Sequence, residues 1–184
     1  MVDTPGHGKL RHHAWDQITS LQNLKGIIFL LDAANLTSTD RESTEACLQT
    51  TAEYLHDLLL LLQKRTASSK SSKAPSELPV LIAANKSDLF TALPVPLIRS
   101  MLENEIGKIR DSKARGLFDS AIDVQDDPMS LATDQNRLGD GGEGKFDFDQ
   151  MRESNVVVQI SRGNVLGPDG SDLDAWWAWI ANRL

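Results

Sequence analysis

Three short apolar runs recur along the chain, and each has the composition of a strand that is buried on both faces of a parallel sheet. They occupy residues 26–32, 78–84 and 156–160. Branched side chains are frequent in all three, and each run gives way to polar residues where a loop is expected. The pattern predicts three parallel strands, each followed by a polar loop.

Apolar residues also return at helical spacing after each run, which predicts helices with one buried face. The stripe after the first run consists of Leu48, Ala52, Leu55, Leu59 and Leu62. We expect a second helix over 96–110, whose inward residues are Leu97, Met101, Leu102, Ile106 and Ile109. The last helix is expected over 173–184, with its inward residues Leu173, Trp176, Trp177, Ile180 and Leu184. This alternation of strands and helices predicts an α/β fold with a doubly wound parallel sheet.

Two polar segments interrupt the alternation within a single domain that spans residues 1–184. Residues 67–77 are rich in Ser and Lys, which predicts a polar loop between a helix and a strand. Residues 119–145 are acidic and glycine-rich, and for this composition we expect a disordered insertion.

Candidate functional residues follow the predicted strands, because ligands of an open parallel sheet bind beyond the carboxyl ends of its strands. Asn-Lys-Ser-Asp at 85–88 follows the second run, and Ser-Arg-Gly at 161–163 follows the third. The chain opens with Asp-Thr-Pro-Gly-His at 3–7, which we interpret as a loop after a strand represented only by residues 1–2. All three segments are therefore expected on one rim of the sheet.

The Asn-Lys-x-Asp segment has the chemistry that guanine recognition requires. An ionised Asp88 can accept two parallel hydrogen bonds from guanine N1–H and the exocyclic amine, which adenine does not offer. The stem of Lys86 can lie across the base while its ammonium stays in water, and the amide of Asn85 can tie the loop to its neighbours. Backbone N–H groups at Ser161 and Arg162 would reach guanine O6. The alternative is a polar turn that caps the next helix.

The Asp-x-x-Gly segment suits the phosphate end of the same nucleotide. Asp3 can hold Mg²⁺ through a water molecule, while the Gly6 N–H bonds the terminal phosphate, so that loss of the phosphate releases the loop. Taken alone, the segment is more typical of an ordinary proline-glycine turn. Both motifs occur in the order found in GTP-binding domains, each where a strand should end, so together they predict a G domain that binds GTP and Mg²⁺.

Composition excludes several other classes of site. The formal net charge of −7 disfavours direct nucleic-acid binding through bulk electrostatics. Cys47 is the only cysteine, so the chain can form neither an intrachain disulfide nor a zinc site built from several thiolates. No apolar run approaches the roughly 18 to 20 residues that a membrane span requires.

Several segments resemble the beta subunit of the signal recognition particle receptor, in its fungal style. They are residues 3–11, 24–34, 83–89, 97–110, the Phe-Asp-Phe-Asp-Gln segment at 146–150, and the closing tryptophan-rich helix. The resemblance implies a Ras-like and Arf-like GTPase module on the cytosolic face of the endoplasmic reticulum membrane. Its GTP-bound form would hold the receptor alpha subunit, so that ribosomes reach the translocation machinery.

The resemblance also implies roles for individual residues. Asp3 and Gly6 would be switch residues, Asn85, Lys86, Asp88 and Ser161 would form the guanine site, and His7 stands where GTPases often keep a water-positioning side chain. Arg162 and Gly163 depart from the pattern, since related domains usually have Ala and Lys after the serine.

A phosphate loop of the form Gly-x-x-x-x-Gly-Lys-Ser/Thr does not occur in these 184 residues. We therefore expect the C-terminal portion of a P-loop GTPase domain, with a partial sheet that lacks the first strands, and little GTPase activity from this portion alone. The phosphate loop and the membrane helix implied by the resemblance would lie upstream of Met1. Two rival hypotheses are a Ras-like or Arf-like trafficking GTPase and a structural remnant that binds no nucleotide.

Overall fold

The computed structural model describes residues 1–21, 23–37, 41–68, 77–122, 137–139, 144–168 and 170–183. Its helices and strands, in chain order, are α1 (Arg11–Ser20), β1 (Ile27–Asp32), α2 (Arg41–Ser68), β2 (Leu78–Asn85), α3 (Val95–Ile122), β3 (Val156–Arg162) and α4 (Asp174–Ala181). Short 3-10 helices occur at Gly8–Leu10, Asn35–Thr37 and Phe148–Ser154. No helix in these ranges is long and apolar enough to span a membrane.

The strands form a parallel sheet in the order β1-β2-β3. β2 is central, with Leu30 of β1 and Ser161 of β3 both in register with Ala83. All three strands therefore end at the same edge of the sheet. The α/β fold predicted from the apolar runs is confirmed, and each predicted strand lies within a residue or two of the observed one.

The main core lies between one face of the sheet and the helices α2 and α3. Phe29 and Leu31 of β1 and Val80 and Ile82 of β2 are buried there. The predicted α2 stripe is confirmed, since Ala52, Leu55, Leu59 and Leu62 are fully buried, with Leu48 packed at its margin. On the opposite face, Trp176 of α4 packs against Leu81 and Ala83. The site edge of the sheet is thus supported from both faces.

Two of the predicted inward residues are exposed. Leu97 has 45% of its surface exposed, because the buried stripe of α3 begins one residue later, at Ile98, and continues through Leu102 and Ile106. Trp177 is 62% exposed, since the short helix α4 turns only one narrow face to the sheet and Trp176 occupies it. Leu184 lies outside the described residues.

Helix α1 was not predicted from the sequence. Its pattern is weak because only Ala14 and Ile18 are buried, one turn apart. The helix is fixed to α2 by the Arg11 guanidinium, which lies over the Tyr54 ring at 4.4 Å from its centroid. The contact places the segment that precedes α1 on the α2 side of the molecule.

The segment predicted as a disordered insertion, residues 119–145, is ordered at both ends. Helix α3 continues to Ile122, and Leu138 is fully buried in the main core. Gln63 of α2 holds this part of the segment, donating from Nε2 to the Arg137 carbonyl and accepting from the Gly139 N–H through Oε1, both at 3.0 Å. Residues 123–136 and 140–143 lie outside the described residues, as do 69–76 of the predicted polar loop, whose first two positions belong to α2.

The Phe-Asp-Phe-Asp-Gln segment at 146–150 returns the chain to the core. Phe146 and Phe148 are buried and meet edge to face, with ring centroids 5.7 Å apart. Arg99 of α3 donates hydrogen bonds of 2.9 Å to both Asp147 and Asp149. The motif therefore has a structural role, which is to attach the segment before β3 to α3.

Replacing Leu138 with Ala tests whether the 137–139 segment belongs to the core. Removal of a fully buried Leu side chain should lower the free energy of unfolding by about 3 kcal/mol, measured by urea denaturation. The matched control is Leu166→Ala, because Leu166 is 85% exposed and its loss should change stability by less than about 0.5 kcal/mol. Equal stabilities of the two variants would contradict the packing described for Leu138.

Candidate functional site

Backbone hydrogen bonds continue past the strands and join the loops at the carboxyl edge of the sheet. The Ala33 N–H donates to the Asn85 carbonyl at 3.0 Å, and the Gly163 N–H donates to the Ala84 carbonyl at 2.9 Å. The Ser87 N–H then donates to the Gly163 carbonyl at 3.2 Å. The Asn-Lys-Ser-Asp loop is therefore held from both sides, and the predicted neighbours 85–88 and 161–163 are adjacent.

Asp32, at the end of β1, belongs to this edge although the sequence did not single it out. Its Oδ1 accepts hydrogen bonds from the backbone N–H groups of Ala34 at 3.0 Å and Asn35 at 3.2 Å. Its Oδ2 lies 2.5 Å from Nζ of Lys86. Burial pushes the pKa of the Asp32 carboxyl up, but the Lys86 hydrogen bond and the two backbone donors outweigh it, so the pKa lies below its ordinary value. Asp32 is therefore ionised at neutral pH.

Lys86 adopts a left-handed backbone conformation, with a φ of 63°. This conformation is strained for a residue with a side chain, and such residues cluster at ligand-binding and active sites. Its ammonium is paired with Asp32, and the Lys86 side chain stays 51% exposed. The pair is partly exposed and adds little to stability, but it fixes the direction of the Lys86 stem.

Asn85 and Asp88 play different parts in the loop. Oδ1 of Asn85 accepts a hydrogen bond of 3.2 Å from the Val165 N–H, so the predicted tie to a neighbouring loop is confirmed. The Asp88 side chain is exposed, and the described part of the chain gives it no ionic partner. Asp88 thus presents a free carboxylate at the edge of the sheet.

Ser161 and Arg162 lie in the last two positions of β3 instead of in the loop that follows. The Ser161 hydroxyl donates to the Arg162 carbonyl at 3.3 Å, and Trp176 Nε1 donates to the Ser161 carbonyl at 3.4 Å. A methyl group on Gly163 would stand 2.7 Å from both the Asp172 carbonyl oxygen and the Trp176 ring. Gly163 stands where related domains usually have Lys. The reason is steric, because no side chain fits at this position.

The opening segment is separate from these loops. Asp3 and Gly6 are exposed, and no atom would lie within 4 Å of a methyl group placed on Gly6. His7 caps the 3-10 helix that follows it, with Nδ1 accepting a hydrogen bond of 3.3 Å from the Lys9 N–H. In the ranges that the structure covers, no hydrogen bond or ion pair joins Asp3 or Gly6 to residues 85–88, and no group of three or more His, Cys, Asp or Glu side chains could hold a metal.

The strain at Lys86 can be measured by comparing two substitutions that both remove the ion pair. Lys86→Gly should be more stable than Lys86→Ala by about 1 kcal/mol, because glycine adopts a positive φ without steric cost. Lys108, which lies in α3, is the matched control, and there the alanine variant should be more stable by about 1 kcal/mol. Urea denaturation of the four variants gives both differences. The same sign at the two positions would contradict a strained Lys86.

Known proteins are similar to this chain over most of its length. The family model described as signal recognition particle receptor beta subunit matches residues 1–156. The receptor subunit beta of Saccharomyces cerevisiae is 30% identical over 186 residues, which cover 100% of this chain and 66% of the yeast protein. The chain therefore spans about two thirds of that relative.

Two solved structures from Chaetomium thermophilum share the fold. One, described as SRb-GDP-Mg, has a TM-score of 0.79 and is 42% identical. The match covers 100% of this chain and 79% of the chain in that structure. The other, described as an SRb-GTP/SRX complex, has a TM-score of 0.79 and is 39% identical. The match covers 99% of this chain and 66% of the chain in that structure. The chain belongs to the family of signal recognition particle receptor beta subunits.

Proposed function

We propose that this chain carries the guanine-recognition part of a GTP-binding subunit of the signal recognition particle receptor. The observation that supports it most directly is the loop at residues 85–88, which is held between the ends of β1 and β3. That loop combines a strained Lys86 with an exposed Asp88 carboxylate. A plain helix-capping turn would require neither feature.

The chemistry of the loop fits a guanine base. The Asp88 carboxylate is free to accept from guanine N1–H and the 2-amino group, which adenine cannot match. Asp32 holds the Lys86 ammonium to one side, so that the aliphatic stem can cover one face of the base.

Arg162 has a backbone donor for guanine O6. The N–H and the carbonyl of Gly163 both point towards β2. In a strand, the N–H and carbonyl of the next residue point to the opposite side. The Arg162 N–H is therefore not used in the pairing with β2, and we assign it to guanine O6. Ser161 supports it through the hydrogen bond between Trp176 and the Ser161 carbonyl.

The phosphate end of the nucleotide is assigned to the opening segment. Asp3 would hold Mg²⁺ through a water molecule, and the Gly6 N–H would bond the terminal phosphate of GTP. Bound Mg²⁺ would supply positive charge that offsets the phosphates. His7 accepts from the Lys9 N–H through Nδ1, so Nε2 is the ring nitrogen that remains to orient a water molecule.

The partner we assign to the GTP-bound form is the receptor alpha subunit. A related beta subunit from Chaetomium has been solved as an SRb-GTP/SRX complex, which supports a GTP-bound state that holds a partner. Ribosomes and the translocation machinery would be reached indirectly, at the cytosolic face of the endoplasmic reticulum. With a net charge of −7, direct binding to nucleic acid is not expected, and membrane contact would come from a segment outside these residues.

Asp88→Asn, made in the protein at its native length, should change the base preference of the nucleotide site from guanine to xanthine. An amide can donate to the extra carbonyl of xanthine but can no longer accept from both guanine donors. Affinity for GTP should fall at least about tenfold while XTP binds better, and capture of the alpha subunit should come to depend on XTP. Titration of each nucleotide and co-purification of the two subunits are the measurements.

Asp16→Asn is the control for this experiment, since Asp16 is an exposed residue of α1. It should leave both the GTP preference and the capture unchanged. An Asp88→Asn protein that keeps its GTP preference would refute the guanine assignment. A variant that prefers XTP but holds the alpha subunit with either nucleotide, or with none, would refute the nucleotide-dependent partner assignment.

A further inference from the structure

The loop after β3 is closed on itself at its base. Asn164 and Asp172 exchange two backbone hydrogen bonds, of 3.0 and 2.9 Å. Inside the loop, Nδ2 of the buried Asn164 donates to the Gly170 carbonyl at 2.8 Å, and the Gly170 N–H donates to the Gly167 carbonyl at 3.1 Å. Residues 164–168 and 170–172 therefore form a small braced unit, which we call the β3 loop.

The β3 loop faces the exposed carboxylate of the neighbouring loop at Gly167. A methyl group on Gly167 would stand 3.2 Å from Oδ2 of Asp88, 2.7 Å from Nδ2 of Asn164 and 3.1 Å from the Gly170 carbonyl oxygen. Gly167 is not among the glycines with a positive φ, so space is what requires a glycine there. Because position 167 has no side chain, the space beside Oδ2 of Asp88 stays open.

We infer that Gly167 is a positioning residue for Asp88 and thereby a determinant of base specificity. The inference rests on the proposed guanine site. A carboxylate that accepts two parallel hydrogen bonds must lie in the plane of the base, and rotation of the Asp88 side chain would break one of them. A side chain at position 167 would crowd Oδ2 of Asp88 and displace the carboxylate from that plane. The bond from the Val165 N–H to Asn85 keeps the β3 loop and the 85–88 loop together.

Inosine diphosphate provides a readout that a general loss of structure would not produce. It keeps N1–H and O6 of guanine but lacks the 2-amino group, so the ratio of GDP to IDP affinity reports the second bond to Asp88. Gly167→Ala should move Asp88 and lower GDP affinity about tenfold, the usual worth of a hydrogen bond to a charged group. IDP affinity should fall much less, so that the ratio approaches one.

Gly144→Ala is the control for an added methyl group. Gly144 lies outside the β3 loop, and no atom lies within 4 Å of the methyl group. This variant should keep the wild-type GDP to IDP ratio. In an Asp88→Ala background, Gly167→Ala should cause no further change in the ratio, because the two residues act on one bond.

The titrations use the protein at its native length with GDP, IDP and ADP. Wild-type protein that does not prefer GDP to ADP would refute the proposed guanine site itself. If the wild type prefers GDP, an unchanged GDP to IDP ratio in Gly167→Ala would overturn the inference, as would an equal loss of both affinities. Should Gly167→Ala not fold, Asn164→Ala deletes the brace to Gly170 without adding an atom. A lowered ratio in that variant supports the positioning role, and an unchanged ratio overturns it.

Discussion

The pairing of β2 with a strand on each side is the constraint on which the rest of the structure depends. β2 is buried from Val80 to Ala84, and its parallel register brings the ends of β1 and β3 level with its own. The loop at 85–88 consequently emerges between two other chain segments. Hydrogen bonds to Ala33 and Gly163 then continue the sheet into the loops. A candidate binding edge is thus assembled from residues that are distant in the sequence and hydrogen-bonded to one another.

The charges at this edge affect the geometry of the loops more than their stability. The ion pair between Asp32 and Lys86 joins two partly exposed groups, and such pairs contribute at most about 1 kcal/mol. Its effect is geometric, because it holds the Lys86 ammonium beside Asp32. The lowered pKa of Asp32 keeps that arrangement in place at neutral pH. Asp88 is left as the exposed carboxylate of the loop.

The strands and helices that bury apolar residues could be predicted from the sequence, because burial on both faces produces continuous apolar runs and a buried helix face produces a stripe. Helix α1 could not, since two buried residues do not make a recognisable period. The packing of residues 137–139 was not predicted either. It depends on Gln63 and on one apolar residue, Leu138, within a polar segment.

Some residues of the candidate site could likewise be predicted from the sequence, and others could not. Asn85, Lys86 and Asp88 form a contiguous motif, so the sequence alone was enough to select them. Asp32 contacts that motif and Gly167 lies beside it, both from distant parts of the chain. Asp32 had one available signal, which is that it is the polar residue ending the first apolar run.

Hydrogen exchange with and without nucleotide tests the central claim, that two loops held by β2 form one guanine site. Bound GDP should slow amide exchange in residues 85–88 and 163–167 together, because the base contacts one loop and the other is hydrogen-bonded to it. ADP at the same concentration should slow neither. Protection by GDP of only one loop, or of neither, would contradict the account.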